Sequence, residues 1–132
     1  MHNKLFGHFF ETAAITLLKN TTALLAITFD PNWRVLWEQR FEDPLSDAET
    51  FRVDQDNLLL EIGNSPKSFN EIQGQYMGLI RLSPSGWKSM KVILGTLSHE
   101  RLNQIHLTEV LNIIANTSPL KIRTLEYQGF LG

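Results

Sequence analysis

The run ALLAITF, residues 23–29, is the feature that most constrains how this chain folds. It is a continuous apolar stretch of strand length with no polar alternation. A strand of this kind is covered by other elements on both of its faces. The preceding residues 8–19 predict an amphipathic helix, because one helical face collects Phe10, Ala13, Ala14, Leu17 and Leu18. A helix followed by a doubly buried strand predicts the α/β class rather than a helix bundle or a β-sandwich.

The remaining sequence predicts further strands and helices in alternation. Residues 51–54 and 58–62 predict a β-hairpin around a turn at 54–57. Residues 73–82 predict a strong strand that contains Gly74 and Gly78. Glycine inside a strand marks a bulge or a close approach to the backbone, and we favour the bulge. A helix follows, with an apolar face of Trp87, Met90, Ile93, Leu94 and Leu97. Residues 98–104 are a predicted polar connection, 107–116 a second helix and 120–127 a final strand.

Composition excludes several functional classes. The length of 132 residues suits one domain or a piece of one. A net charge of −2 without a Lys/Arg cluster argues against nucleic-acid binding. The longest apolar run is far shorter than the roughly 20 residues that a membrane span needs. The absence of cysteine excludes disulfides, thiolate zinc sites and a cysteine nucleophile. We therefore expect a cytoplasmic protein that binds neither nucleic acid nor membrane.

Residues 30–52, DPNWRVLWEQRFEDPLSDAETFR, form the most unusual stretch of the chain. They combine two tryptophans and two phenylalanines with clustered carboxylates and arginines. Large aromatic side chains need shaped pockets, and clustered carboxylates repel one another unless cations or donors hold them. A loop that carries both is typical of recognition or chemistry on a rigid scaffold. The alternative is an ordinary ordered crossover whose tryptophans cap the core.

No self-sufficient active site is apparent. There is no phosphate-binding glycine motif, no serine lies in a nucleophile elbow, and the four histidines lack metal-ligand spacing. One acidic cluster stands out, consisting of Glu42, Asp43, Asp47 and Glu49. It suits a hard divalent cation in a metal-dependent enzyme. A solvated acidic loop, offset by neighbouring arginines, is the better interpretation.

Four segments in order carry a family resemblance: ITFDPNWRVLWEQRFEDPLSDAETFR, LLLEIGNSPKS, EIQGQYMGLIRLSPSGW and HLTEVL. Together they resemble the nucleotidyltransferase family, in particular its phosphocholine cytidylyltransferase-like members, which are relatives of the sugar-phosphate nucleotidyltransferases. The resemblance runs from about residue 13 to residue 131. It implies an α/β fold with a mixed sheet and flanking helices, like the C-terminal half of the nucleotide-diphospho-sugar transferase fold. The implied reaction is attack by phosphocholine or a sugar phosphate on the α-phosphate of a nucleoside triphosphate, assisted by Mg²⁺.

The resemblance covers only the acceptor-binding side of that fold. The glycine-rich nucleotide loop and the first metal-binding aspartate would lie upstream, and the second metal-binding aspartate would follow Gly132. We therefore expect residues 1–132 to form one partial domain that is inactive alone and binds no Mg²⁺ by itself. Residues 1–10 are either native continuation or a non-native, frayed leader. A complementary N-terminal half or a second copy is the expected protein partner.

The resemblance also implies which residues bind the acceptor substrate. They are Asp30, Trp33, Trp37, Arg40, Glu61, Gln75, Tyr76, Gly78 and Thr108. Aromatic faces attract quaternary ammonium groups, with about 0.5–2 kcal/mol for each contact, so a choline head fits this set. Relatives often carry a phosphate-binding lysine where this chain has Ser65, and the nearest lysine is Lys67. Two alternatives remain open: the aromatics pack a core, or the chain is a non-catalytic binding or oligomerisation module with exposed edges.

Overall fold

The computed structural model describes residues 4–34 and 44–127. Its elements follow in chain order as α1 Lys4–Lys19, β1 Leu25–Asp30, α2 Pro44–Asp47, β2 Phe51–Val53, β3 Leu59–Ile62, a 3₁₀ helix Phe69–Glu71, β4 Gln75–Leu82, α3 Pro84–Leu94, α4 His99–Leu102, α5 Leu107–Thr117 and β5 Arg123–Glu126. The chain is therefore a mixed α/β structure with flanking helices, as the sequence predicts. Most predicted elements are present within a few residues of their predicted bounds.

Strand β1 is the centre of the fold. It lies between β4 and β5 in a three-stranded sheet, antiparallel to β4 and parallel to β5. Its first four residues, 25–28, are fully buried. Leu25, Ile27 and Phe29 belong to the main hydrophobic core, which also contains residues of α3 and α5. The alternate residues point to the other face, where α1 packs against β1 and β4. The prediction of a strand covered on both faces is confirmed.

The predicted β-hairpin is also confirmed, since β2 and β3 pair antiparallel. The carboxylate of Asp54 organises the turn by accepting hydrogen bonds from the backbone N–H groups of Asp56 (2.8 Å) and Leu58 (3.0 Å). The hairpin is joined to the edge of β5 by hydrogen bonds from Leu59 N to Ile122 O and from Thr124 N to Asn57 O, both of 2.9 Å. The hairpin thus forms a separate two-stranded sheet that is bridged to β5 at Leu58 and Arg123.

Strand β4 contains the bulge that its glycines predicted. Ile27 pairs with Ile80 and Phe29 with Tyr76, so two steps along β1 match four steps along β4. Strand β4 therefore carries two extra residues at this point. Gly78 lies within the bulge with φ of +85°, in the left-handed region that glycine adopts without strain.

Arg81 ties β4 to the end of α1. Its Nη1 atom donates hydrogen bonds to three backbone oxygens, those of Leu18 (2.8 Å), Lys19 (3.1 Å) and Thr21 (2.7 Å). The last carbonyls of a helix have no partner inside the helix, and a cation at this end also opposes the helix dipole. One side chain therefore both caps α1 and fixes its position on the sheet.

Two predictions about the helical region need correction. Met90 is buried, but Trp87 is 45% exposed, and the Lys91 ammonium lies 5.7 Å from its ring centroid. The apolar face of α3 packs on β4 and α5 without including Trp87. The predicted polar connection at 98–104 contains the single helical turn α4, whose first amides are capped when Ser98 Oγ accepts a hydrogen bond from Arg101 N (3.1 Å).

Gly86 and Gly95 provide a matched test of the contact between α3 and β1. A Cβ at Gly86 would overlap the Leu24 carbonyl oxygen and lie 2.9 Å from its carbon, whereas one at Gly95 would make ordinary contacts of 3.4 Å. We expect Gly86→Ala to lower the free energy of unfolding by about 1–3 kcal/mol, because α3 must move. Gly95→Ala should leave it unchanged or raise it by up to about 1 kcal/mol. Urea unfolding of both variants checks this, and equal stability would contradict the close contact.

Candidate functional site

A cleft of about 270 Å³ lies between the hairpin and the start of β4. Its aromatic and polar lining residues are Trp33, Asp47, Glu49, Thr50, Phe51, Gln75 and Tyr76, and its apolar base is completed by Ala48, Ile62, Ile72 and Gly74. The cleft forms where the chain leaves the outer edge of β2 at Ile72 and enters β4 at Gln75. It therefore combines side chains from segments that are far apart in sequence.

Trp33 anchors the base of the cleft. Its side chain is only 4% exposed, and its indole Nε1 donates a 3.2 Å hydrogen bond to the backbone oxygen of Ile72. Together with Ala48 and Ile72 it forms a second, smaller hydrophobic cluster. Phe69 lies against the Trp33 ring at 6.2 Å between centroids, and the Arg34 guanidinium covers Phe69 at 3.9 Å. Trp33 thus contributes a fixed surface to the cleft.

Gly74 sets the distance between the cleft wall and β1. A Cβ at this position would overlap the Phe29 ring and lie 3.3 Å from the Asp30 carbonyl oxygen. Phe29 has little room to move, because it is buried and its ring centroid lies 5.0 Å from that of Phe51. Only glycine permits the wall to approach β1 this closely. A close approach to the backbone is one of the two roles expected of a glycine in a strand.

Tyr76 lines the cleft and carries a buried polar group. The side chain is half-buried, and its hydroxyl oxygen is buried without a hydrogen-bond partner among the described residues. Burial raises the pKa of the Tyr76 phenol above its ordinary value, so the hydroxyl stays protonated at neutral pH. A buried hydroxyl without a partner is unusual in a folded protein. It is a hydrogen-bond donor that no described residue of the chain engages.

Asp30 and Gly78 lie near the cleft without lining it. Asp30 ends β1 opposite Gln75, and its Oδ1 atom accepts a 2.9 Å hydrogen bond from Asn32 N. Burial, and secondarily the charge of Asp30, raise the pKa of the Tyr127 phenol. Gly78 lies in the bulge of β4, with open space where a Cβ would project.

Glu61 of β3 and Thr108 of α5 do not line the cleft. They flank the loop that follows β3, beside the lining residues Glu49 and Thr50. Glu61 accepts hydrogen bonds from Asn64 Nδ2 (2.8 Å) and Arg52 Nη1 (3.3 Å). The pKa of Glu61 is lowered, first by the Asn64 hydrogen bond and then by Arg52, although partial burial acts in the opposite direction. A Cβ at Gly63 would lie 3.1 Å from the Cβ of Thr108, so Thr108 packs directly on this loop.

The structure therefore brings together part of the predicted acceptor-binding set. Trp33, Gln75 and Tyr76 meet in the cleft, while Trp37 and Arg40 lie outside the described residues. Thr50 and Phe51 line the cleft although sequence reasoning did not name them as site residues. Both belong to the stretch 30–52, but Phe51 was assigned to the hairpin and Thr50 had no separate role. The acidic cluster was noticed, but nothing in its spacing indicated that Asp47 and Glu49 would line a cleft.

The described residues do not fit a resident divalent metal ion. Among the side chains that the structure describes, in residues 12–34 and 45–127, no group of three or more His, Cys, Asp and Glu is arranged to hold one. Asp47 and Glu49 are the described part of the acidic cluster, while Glu42 and Asp43 fall outside it. We assign no chemical step on this chain to Mg²⁺.

Comparison with known proteins relates part of the chain to nucleotidyltransferases of the cytidylyltransferase type. CTP:phosphoglutamine cytidylyltransferase of Campylobacter jejuni is 39% identical over 66 residues, which are 50% of this chain and 26% of that protein. The chain thus spans about a quarter of the length of this relative. No protein-family model matches the chain, and no solved structure matches it. None of the described helices is long and apolar enough to cross a membrane.

The hydrogen bonds to Glu61 predict a pH-dependent contribution to stability. Because its pKa in the folded chain lies below the unfolded value of 4.5, this contribution is present above that value and is lost as the pH falls through the lowered pKa. Glu61→Gln should lower the free energy of unfolding by about 1 kcal/mol at pH 7. The difference from the native chain should shrink in acid.

Urea unfolding between pH 7 and pH 3 measures this difference. Glu100→Gln, on an exposed position of α4, is the control and should not reproduce the effect. A Glu61→Gln penalty of equal size at both pH values would contradict the assignment.

Proposed function

We propose that this chain carries the acceptor-binding part of a cytidylyltransferase-like nucleotidyltransferase. The observation that carries the proposal is the cleft, where Trp33, Gln75 and Tyr76 from the resembling segments meet the carboxylates of Asp47 and Glu49. The family resemblance implies phosphocholine or a sugar phosphate as the acceptor. The similarity of half the chain to a protein that acts on CTP and phosphoglutamine supports the same class of reaction.

The charge of the cleft determines which end of the acceptor it receives. None of its described lining residues is Lys, Arg or His, whereas two are carboxylates. A phosphate group placed there would be repelled, because charges of the same sign interact unfavourably at short range. A cationic head is attracted both by the carboxylates and by the aromatic faces. The cleft therefore takes the non-phosphate end of the acceptor and leaves the phosphate directed outwards.

In the complete reaction, a phosphate oxygen of the acceptor attacks the α-phosphate of CTP and pyrophosphate leaves. The cleft contributes to this reaction by holding the acceptor, which replaces a random encounter with a fixed orientation. Tyr76 offers its hydroxyl, which has no hydrogen-bond partner among the described residues, as a donor within this arrangement. No phosphate-binding glycine motif occurs in the sequence. We therefore propose that this chain binds the acceptor without transferring a nucleotidyl group by itself.

Calorimetric titration with phosphocholine tests the acceptor site. The native chain should bind it, and Asp47→Asn and Glu49→Gln should each weaken binding about three- to tenfold, because each removes an attractive charge. Asp56→Asn, a carboxylate of the hairpin turn that does not line the cleft, is the control and should bind like the native chain. Equal affinities for all four proteins, or no binding by any, would contradict the proposed site.

A pyrophosphate-release assay tests the second part of the proposal. The isolated chain with CTP, phosphocholine and Mg²⁺ should release no pyrophosphate above background. Mg²⁺-dependent release by the purified chain would refute the view that it only binds the acceptor.

An oligomerisation module is the second candidate, favoured by one apolar surface. Leu24 is 45% and Val92 is 72% exposed. Both line a shallow hollow with Ile93, Pro119, Leu120 and the two serines Ser89 and Ser118. Exposed apolar patches of this kind often mark contact sites. If a second copy covers this hollow, sedimentation velocity should show a dimer for the native chain and a monomer for Val92→Glu. A stable monomer of the native chain at micromolar concentration would count against this function.

A further inference from the structure

We infer that Gln73 is a positioning residue for the cleft, and this inference rests on the function proposed above. Gln73 does not line the cleft, but it lies between two lining residues, Ile72 and Gly74. Its backbone N–H donates a 2.8 Å hydrogen bond to Phe51 O. Its side-chain Oε1 accepts a second hydrogen bond, also of 2.8 Å, from Val53 N. One residue thus binds two alternate residues of β2.

The side chain of Gln73 takes the place of a backbone carbonyl in a strand ladder. Ile72 and Phe51 form a parallel bridge, in which Gln73 N donates to Phe51 O. If the ladder continued, the carbonyl of residue 73 would accept the next bond from Val53 N. Here the amide oxygen of the side chain accepts that bond instead. The Val53 N–H at the edge of β2 thus has an acceptor, while the backbone at Gln73 remains free to turn away from β2.

Because a side-chain oxygen replaces the backbone carbonyl, the segment that forms the cleft wall can leave the edge of β2 and enter β4. Directly after Gln73 the backbone passes Gly74, packed on Phe29, and enters β4 at Gln75. The Trp33 indole holds the Ile72 carbonyl on the other side. The wall that carries Gln75 and Tyr76 is therefore fixed at Ile72, Gln73 and Gly74. Of these three attachments, the Gln73 side chain is the one at an exposed position.

Because the Gln73 side chain is exposed, its effect on the position of the cleft wall can be separated from its effect on global stability. If the side chain is removed, water can reach Val53 N–H, so no buried donor is left unsatisfied and the global stability changes little. The turn of the backbone at Gly74 then loses its support at the β2 edge. We expect a variant without the acceptor oxygen to have a less ordered wall and weaker acceptor binding in a chain that is still folded.

The experiment compares Gln73→Leu, which lacks an acceptor oxygen, with Gln73→Glu, which keeps one at the same position. The first readout uses no ligand: amide hydrogen exchange and chemical shifts of Val53, Gly74, Gln75 and Tyr76 in the full chain. The second is the affinity for phosphocholine by calorimetry. The third is the thermal unfolding midpoint, which reports a general loss of structure.

In Gln73→Leu we expect faster exchange at Val53, shifted amides at residues 74–76 and phosphocholine binding weakened about fivefold. The unfolding midpoint should stay within about 2 °C of the native value. Gln73→Glu should restore both the amide pattern and the affinity, because its carboxylate accepts the same hydrogen bond.

Unchanged amides at residues 74–76 in Gln73→Leu would overturn the inference, even if the native chain binds phosphocholine. A fall in the unfolding midpoint that parallels the loss of affinity, without rescue by Gln73→Glu, would overturn it as well, since Gln73 would then be only structural. A native chain that does not bind phosphocholine would refute the proposed acceptor site instead. In that case, amide shifts at residues 74–76 in Gln73→Leu that are reversed in Gln73→Glu still show that Gln73 positions the wall.

Discussion

The whole structure depends on the burial of β1 on both of its faces. Complete burial of side chains such as Leu25 and Ile27 contributes about 1.5–3 kcal/mol each. This gain requires a layer on each face and a paired strand on each edge. Helix α1, the main core, β4 and β5 meet these four requirements. Asp30 marks the point at which β1 leaves the interior. Trp33, which forms the base of the cleft, follows shortly after it in the sequence.

The cleft is a consequence of the path that the chain takes from the edge of β2 to its pairing with β1 in β4. The polar groups along this path are of two kinds. Those that fix the path, such as the Trp33 indole and Gln73, have partners within the chain. The Tyr76 hydroxyl has none among the described residues, and a buried hydroxyl in this state costs about 1–3 kcal/mol. Proteins accept such costs mainly at functional sites, which agrees with acceptor binding.

Local patterns were sufficient for most of the fold but for little of the cleft. The apolar run of β1 and the turn before β3 each carry their signal within a few residues. Helix α4 has only four residues, too few to show a helical period. Periodicity placed Trp87 on an apolar face but carries no information on whether a neighbour covers it. Trp33 and Tyr76 were identified through a family resemblance, whereas Glu49 and Gln73 acquire their roles only through long-range contacts with other segments.

The bulge of β4 has one further consequence, which concerns the face of the sheet on which each side chain of β4 lies. Side chains on a strand alternate between its two faces, so a single inserted residue would exchange the faces for everything beyond it. Because the insertion comprises a pair, the phase of the alternation is the same before and after Gly78. Tyr76 therefore points to the same side of the sheet as Ile80 and Leu82, towards the core and the cleft. An odd insertion would have turned its hydroxyl towards α1.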